Sequence, residues 1–485
     1  MNIEFEDAKN SELTCKFNNL YLHSKYNPEQ EALRFSQNIS VSYVPEIIIL
    51  IEPCLSYTVK FIRQKFPESK IYAIRFFKEF KKSDTNFDFV FYPSDYSIPF
   101  SEILYDYFGE EKLCSALILQ WENAAKVFPE ENKNIWKEIK LSLEKAKTVL
   151  ITRQFFEKKW FINSLNYFKY VNKTFFLPHK INSSIAVIAS GPSLQNALPF
   201  IKENQNKLFI IVLSSAISVC IKNKIKIDLC LSTDGGYWAG QHLKLLEQDL
   251  IPLALPPEAF CKKSLLEKLP VFVLNYPDGI SNSLIKASQL KFSSAERNGT
   301  VSGTAITLAQ KITDKKIFCF GLDLSSQKGF QHTLPNEIEN NNQPLENRIQ
   351  NRMTRLTKSE FNSDSLKIYE QWFKTQNFPE NKIFRIIEKS HRKNQLGKIN
   401  DIDIQEFIKL INKEDLLNNF NYEEFRQNIK IDKSKIKEQL KNEEWKKQIF
   451  PLDFVSLQRN PDSIELKQKI EKEVRELKEK ADLLL

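Results

Sequence analysis

Four short segments each follow an apolar run and carry residues able to hold an anion. They are Ser190-Gly191-Pro192-Ser193, Ser214-Ser215, Ser232-Thr233-Asp234-Gly235-Gly236 and Gly321-Leu322-Asp323-Leu324. A fifth, Asn298-Gly299-Thr300-Val301-Ser302-Gly303-Thr304, opens a helix-like pattern. Small residues leave room for a ligand, and backbone N–H groups at helix starts attract negative charge. Taken singly, each segment reads equally well as a helix cap or a tight turn. Their joint placement at strand ends points instead to a phosphate-bearing ligand. No Gly-Lys-Ser/Thr follows the first turn, and no second glycine does, so neither an ATPase loop nor a dinucleotide fingerprint fits. His332 comes next in a glycine-containing loop, and histidine is the usual general base near neutral pH. His391 lies in a polar loop further on, while His242 and His179 read as structural.

The elements that would position these residues alternate strand with helix. Strand "IAVIAS" leads to the Gly191 turn and helix "SLQNALPFIKEN"; "LFIIVLSS", "IDLCLSTDGG", "PLALP", "VFVLNY" and "KIFCFGLDL" read as further strands. "GTVSGTAITLAQKI" reads as a helix. Residues 179–335 therefore predict a Rossmann-like, doubly wound α/β domain, whose ligands bind beyond the carboxyl ends of its strands. Of the 11 glycines, nine lie between Gly191 and Gly329, which places the site in this segment. Residues 1–110 predict a smaller α/β domain around "EIIILIEP", and 111–178 a helical connector with an aromatic core. Residues 336–485 predict a polar loop and a mainly helical C-terminal region. The tail repeats apolar residues at Ile470, Val474, Leu477, Ala481 and Leu484, a helical seam.

At 485 residues and 42% hydrophobic content the chain holds more than one core. The net charge of +9 is spread among mixed Lys and Glu, so nucleic acid is not indicated. Seven scattered cysteines form no Cys-x-x-Cys and read as reduced thiols. The acidic start lacks an apolar core, and no run is long enough to span a bilayer, so a cytoplasmic location is expected.

"VIASGPSLQ", "KIKIDLCLSTDGG" and "NGTVSGTAITLAQKITDKKIFCFGLDLSSQKGFQHT" together resemble the motility accessory factor (Maf) family. The likeness covers roughly residues 184–400. That family's central domain is similar to small bacterial sialyltransferases and to the MptE-like 6-hydroxymethylpterin diphosphokinase domain. The resemblance implies a glycosyltransferase moving a nonulosonic acid, of pseudaminic or legionaminic type, from a CMP-sugar to Ser/Thr hydroxyls of flagellin. It implies that the Gly191-Pro192-Ser193 turn holds the CMP phosphate, with Ser190, Ser214, Asp234, Gly235, Ser302, Gly303, Thr304 and Gly321 around nucleotide and donor. His332 and Asp323 would be catalytic. Two departures stand out: Gly235-Gly236 replaces a pair such as Asp-Pro, and His332-Thr333 inverts the usual Thr-His. CMP leaves readily enough that a metal is not obligatory; no metal site is named, and a divalent ion stays open. The alternatives are an ATP-dependent diphosphotransferase acting on a hydroxymethylpterin, with Asp234 and Asp323 on magnesium, and a flagellin-binding protein without activity.

Overall fold

The computed structural model describes residues 3–485 except 249, 326–330, 350, 352–363, 389–393, 418–420 and 442. His391 therefore lies outside the described residues. The chain divides into two units, residues 1–157 with 446–477, and 158–445 with 478–485. Among the described residues no helix is long and apolar enough to cross a membrane. All seven cysteines are free thiols.

The first unit holds a parallel sheet in the order Phe89–Phe91, Lys70–Ile74, Ile47–Ile51, Leu117–Gln120. Its centre is the run Ile47–Ile51, buried at every position, as a strand covered on both faces must be. Short antiparallel strands at Glu4–Asp7, Leu13–Phe17 and Leu20–Tyr21 make a second sheet that the sequence pattern does not announce. Within 111–178, expected to be helical, the structure has strand Leu117–Gln120, the short helix Glu122–Val127, one continuous helix of 42 residues, Pro129–Tyr170, and strand Lys173–Phe175. Neither glycine nor proline interrupts the long helix after Pro129, which suits the first helical position.

The turn after Ile47–Ile51 lies where strand order reverses, between neighbours Lys70–Ile74 and Leu117–Gln120. Glu52, Cys54 and Ser56 adopt φ of 39°, 48° and 66° there, conformations that glycine adopts freely. Their N–H groups are satisfied from within. Cys54 N donates to Glu52 Oε1 at 3.2 Å, and Leu55 N donates to His23 Nε2 at 3.0 Å. Fully buried Arg75 pairs with Glu52 at 3.1 Å and with Asp84 at 3.1 Å. The strain is thus held by a buried charge network rather than offered to a ligand.

The second unit is built on an eleven-stranded sheet. Its order is Asn400–Ile402, Ile383–Ile386, Ile317–Phe320, Ser184–Ile188, Leu208–Leu213, Leu229–Leu231, Leu253–Leu255, Val271–Asn275, Lys173–Phe175, Arg426–Asn428. Ser293–Ser294 also pairs with Val271–Asn275. Every pairing is parallel except that of Arg426–Asn428 with Lys173–Phe175. The protein is therefore of the α/β class with parallel sheets, as the strand–helix alternation predicts. Three strands come from beyond residue 335, where composition predicted mainly helices. They are only three or four residues long, too short for a period-2 pattern to register. Helix Leu194–Asn204 buries Leu194, Ala197, Leu198 and Ile201, the spacing of one helical face. The C-terminal helix Ile464–Leu484 buries Ile470, Val474, Leu477 and Ala481, so the seam packs within the chain.

Candidate functional site

Strand Ser184–Ile188 runs between Leu208–Leu213, the next strand in the chain, and Ile317–Phe320, the strand reached after the chain has crossed back. The switch in strand order thus falls between the Gly191 and Gly321 turns, the place where parallel sheets present a crevice. The two turns interlock. Gly191 N–H donates to Gly321 O at 2.9 Å. A Cβ on Gly191 would stand 2.4 Å from that same oxygen. Gly321 has φ of 66°, and its Cβ would meet Ala189 O at 2.3 Å. Both glycines are there because two backbones approach too closely for any side chain.

Asp323 sits where sequence reasoning put the donor phosphate. Its Oδ2 accepts the Ser193 N–H at 2.7 Å, and its Oδ1 accepts the Ser193 hydroxyl. Asp323 is 6% exposed and Ser193 9%. A buried carboxylate at the start of helix Leu194–Asn204 does what an anion would do there: it takes the first N–H and faces the positive end of the helix dipole. The sequence expectation placed the CMP phosphate at Gly191-Pro192-Ser193 and made Asp323 catalytic. In the structure Asp323 is the anion of that turn. Its own carbonyl accepts from Asn394 Nδ2 at 3.0 Å, and Asn394 Oδ1 accepts from Arg385 at 2.6 Å. Arg385 is completely buried and meets Asp401 through two bonds of 2.7 and 2.8 Å. Sequence reasoning missed Arg385, Asn394 and Asp401. The signal was an arginine inside the apolar strand "KIFRII".

The segment following the undescribed residues 326–330 returns over the same edge. Thr333 N–H donates to Ser190 O at 2.7 Å, and its hydroxyl donates to Gly191 O at 2.6 Å. Asn336, fully buried, donates to Ser215 O at 2.9 Å. Ser190 and Ser215 hydroxyls lie 2.8 Å apart. Glu337 binds His242 Nδ1 at 2.6 Å and accepts the Ser218 hydroxyl. His242, read from the sequence as structural, is buried and held by Glu337. Burial pushes the Glu337 carboxyl up, but these bonds outweigh it and hold it below the ordinary range. His332 stands in this segment, 23% exposed at the side chain, with Nδ1 3.6 Å from Glu339 Oε1.

The remaining predicted residues fall into three places. Ser302, Gly303 and Thr304 are buried in the first turn of helix Val301–Ile312, which packs on strands Ser184–Ile188, Leu208–Leu213 and Ile317–Phe320. This helix start carries no side-chain cap. Asn298 turns back to accept Thr300 N–H at 3.1 Å. A Cβ on Gly303 would collide with Asn298 and with Trp372, at 2.7 and 2.8 Å. Asp234 is exposed and accepts Gly236 N–H at 2.8 Å, the local cap. Gly235 is buried because Trp160 leaves its Cβ only 2.6 Å. Ser214 is buried at 6% in the turn after Leu208–Leu213.

Beside Gly235 lies a cluster the sequence gave no sign of. Arg297 is stacked between Trp160, 4.8 Å from its ring centre, and Tyr276, at 4.5 Å. Its guanidinium pairs with Glu258 at 2.6 Å and with Asp278 at 2.8 Å. Burial raises the Glu258 carboxyl, and the facing Arg297 opposes that without cancelling it. Around this edge Ser232 Oγ, Asn275 Oδ1 and Asn298 Nδ2 are buried with no hydrogen-bond partner among the described residues. Such groups cost about 1–3 kcal/mol each when left unpaired. Ser232 and Asn275 stand at the carboxyl ends of Leu229–Leu231 and Val271–Asn275, and Asn298 beside the open helix start.

The described residues thus form a largely parallel α/β sheet with small polar residues at its strand ends and a helix start without a side-chain cap. Residues 155–329 match the family model described as 6-hydroxymethylpterin diphosphokinase MptE-like. An uncharacterized protein of Treponema pallidum (strain Nichols) is 26% identical over 288 residues, covering 58% of this chain and 62% of that protein. This chain thus spans less than two thirds of that relative. A MAf glycosyltransferase from Magnetospirillum magneticum AMB-1 superposes with a TM-score of 0.52 and 12% identity, over 90% of this chain and 73% of that one. Residues 155–329 are therefore similar to the MptE-like family, and the chain shares its fold with a Maf glycosyltransferase, the resemblance its motifs predict.

Proposed function

We propose that the protein is a glycosyltransferase that moves a nonulosonic acid from a CMP-sugar to Ser/Thr hydroxyls of flagellin. The observation that carries the reading is the set of buried unpaired groups, Ser232 Oγ, Asn275 Oδ1 and Asn298 Nδ2, beside the uncapped start of helix Val301–Ile312. A sugar nucleotide brings both donors and acceptors for such groups, and an acid for the helix start. The shared fold with a Maf glycosyltransferase supports the transfer chemistry. In this reading the donor's charge lies toward Ser302 and Gly303, because the Gly191 turn is taken by Asp323. The acceptor oxygen attacks the anomeric carbon and His332 takes its proton. The bond from that carbon to the phosphate oxygen breaks, and CMP leaves with the electron pair. Asp323 then keeps the Ser193 turn in place and takes no part in bond making.

A diphosphotransferase reading has the domain description in its favour. Thermal stabilisation separates the two. CMP should raise the melting temperature under the first reading, and ATP with magnesium under the second. Intact-mass analysis of flagellin from cells with and without the protein then tests the transfer itself. An unchanged mass would remove flagellin as the acceptor.

A further inference from the structure

We infer that Glu339 is the positioning residue of the site, holding His332 with Nδ1–H toward its carboxylate so that Nε2 is left as the base. The inference rests on the proposed role of His332 and adds the group that makes it serviceable. An imidazole accepts a proton at Nε2 only if the other nitrogen carries the hydrogen, and a neighbour must fix that tautomer. The imidazolium formed by proton uptake then needs a negative partner.

Glu339 meets both needs. Its side chain is 7% exposed, and Oε1 lies 3.6 Å from His332 Nδ1. That oxygen also accepts the N–H of Gln331 at 3.2 Å, so the carboxylate fixes the backbone just before the ring. Glu339 is itself anchored, since its N–H donates to buried Asn336 Oδ1, whose amide holds Ser215. The other acids of this edge are committed elsewhere, Asp323 to Ser193 and Glu337 to His242 and Ser218. Burial pushes the Glu339 carboxyl up, but the facing imidazole and the Gln331 N–H outweigh it, so it stays ionised through neutral pH.

The separation of 3.6 Å is about half an ångström beyond a hydrogen bond. Apo catalytic contacts are often this long and tighten when substrate binds. The ring keeps 23% of its side chain exposed, enough to meet an acceptor hydroxyl.

The test is the tautomer of His332, read by NMR at alkaline pH in protein labelled with 15N in the histidine rings and assigned with His332→Gln. The expected result is hydrogen on Nδ1 in the wild type, and a shift toward hydrogen on Nε2 in Glu339→Leu, which removes the carboxylate. A wild-type ring with its hydrogen on Nε2, or the same tautomer in Glu339→Leu, overturns the inference. Turnover with a CMP-nonulosonic acid donor and purified flagellin separates it from the reading beneath. If the tautomer changes and kcat falls in Glu339→Leu, both stand. If the tautomer changes while kcat does not, the pairing of His332 with Glu339 stands and His332 is not the base.

Discussion

Replacing Asp323 by Ala decides whether that carboxylate serves the ligand or the fold. Its two oxygens take the N–H and hydroxyl of Ser193, both in a buried turn. Hydrogen bonds to a charged group contribute about 1.5–3 kcal/mol each, and an anion in the first turn of a helix adds about 0.3–1 kcal/mol. These terms overlap, because both oxygens act on one residue, so the expected cost is about 3 kcal/mol. With two units the chain need not unfold in a single step, so a local readout is the sound one. Amide hydrogen exchange over the peptide from Gly191 to Ala197 should quicken by about two orders of magnitude in Asp323→Ala, at 1.4 kcal/mol per tenfold. Asp323→Asn keeps one acceptor and should lose about half of that in free energy. Stabilisation by CMP, whose charge is proposed to lie toward Ser302 and Gly303, should be largely kept. Unchanged exchange together with lost CMP stabilisation would refute the reasoning, since the carboxylate would then be acting on the ligand.

Gly191→Ala places a methyl 2.4 Å from Gly321 O, against backbone that cannot yield; the expected loss exceeds about 3 kcal/mol and should show as poor soluble yield or a lowered melting temperature. Arg385→Met breaks a fully buried pair with Asp401 and should cost about 3–5 kcal/mol; the double variant with Asp401→Leu should recover much of it, and strict additivity would argue against coupling. His23 is held far below its ordinary 6.5, at about 3, by burial and then by Arg75. Because the folded state refuses the proton that the unfolded state binds below pH 6.5, stability is full above that pH and falls toward pH 3. At 1.36 kcal/mol per unit, the loss between pH 7 and pH 5 is about 2 kcal/mol, which urea unfolding of wild type against His23→Gln should reveal.

The sheet of the second unit was legible because its strands are unbroken apolar runs ended by small polar residues, as in Ser184–Ile188 followed by Ser190-Gly191. The first helix of that domain was legible from the spacing of Leu194, Ala197, Leu198 and Ile201. The strands Ile383–Ile386, Asn400–Ile402 and Arg426–Asn428 were not, because three or four residues give no period. Arg297 and Glu258 were invisible as a pair because 39 residues separate them in the chain.

The sequence by itself determined where the chain could turn and which edge of the sheet would be polar. Those properties are local: glycine's freedom, the burial demanded by apolar runs and the capping chemistry of Ser, Thr, Asn and Asp. Only the tertiary structure decided how the polar edge is shared out. It gave the Gly191 turn to Asp323, across 130 residues of chain, and left the start of helix Val301–Ile312 uncapped. It also set Glu339 beside His332. An anion site looks the same in sequence whether a ligand or the protein's own carboxylate fills it, because the N–H groups that make it are backbone and carry no residue name.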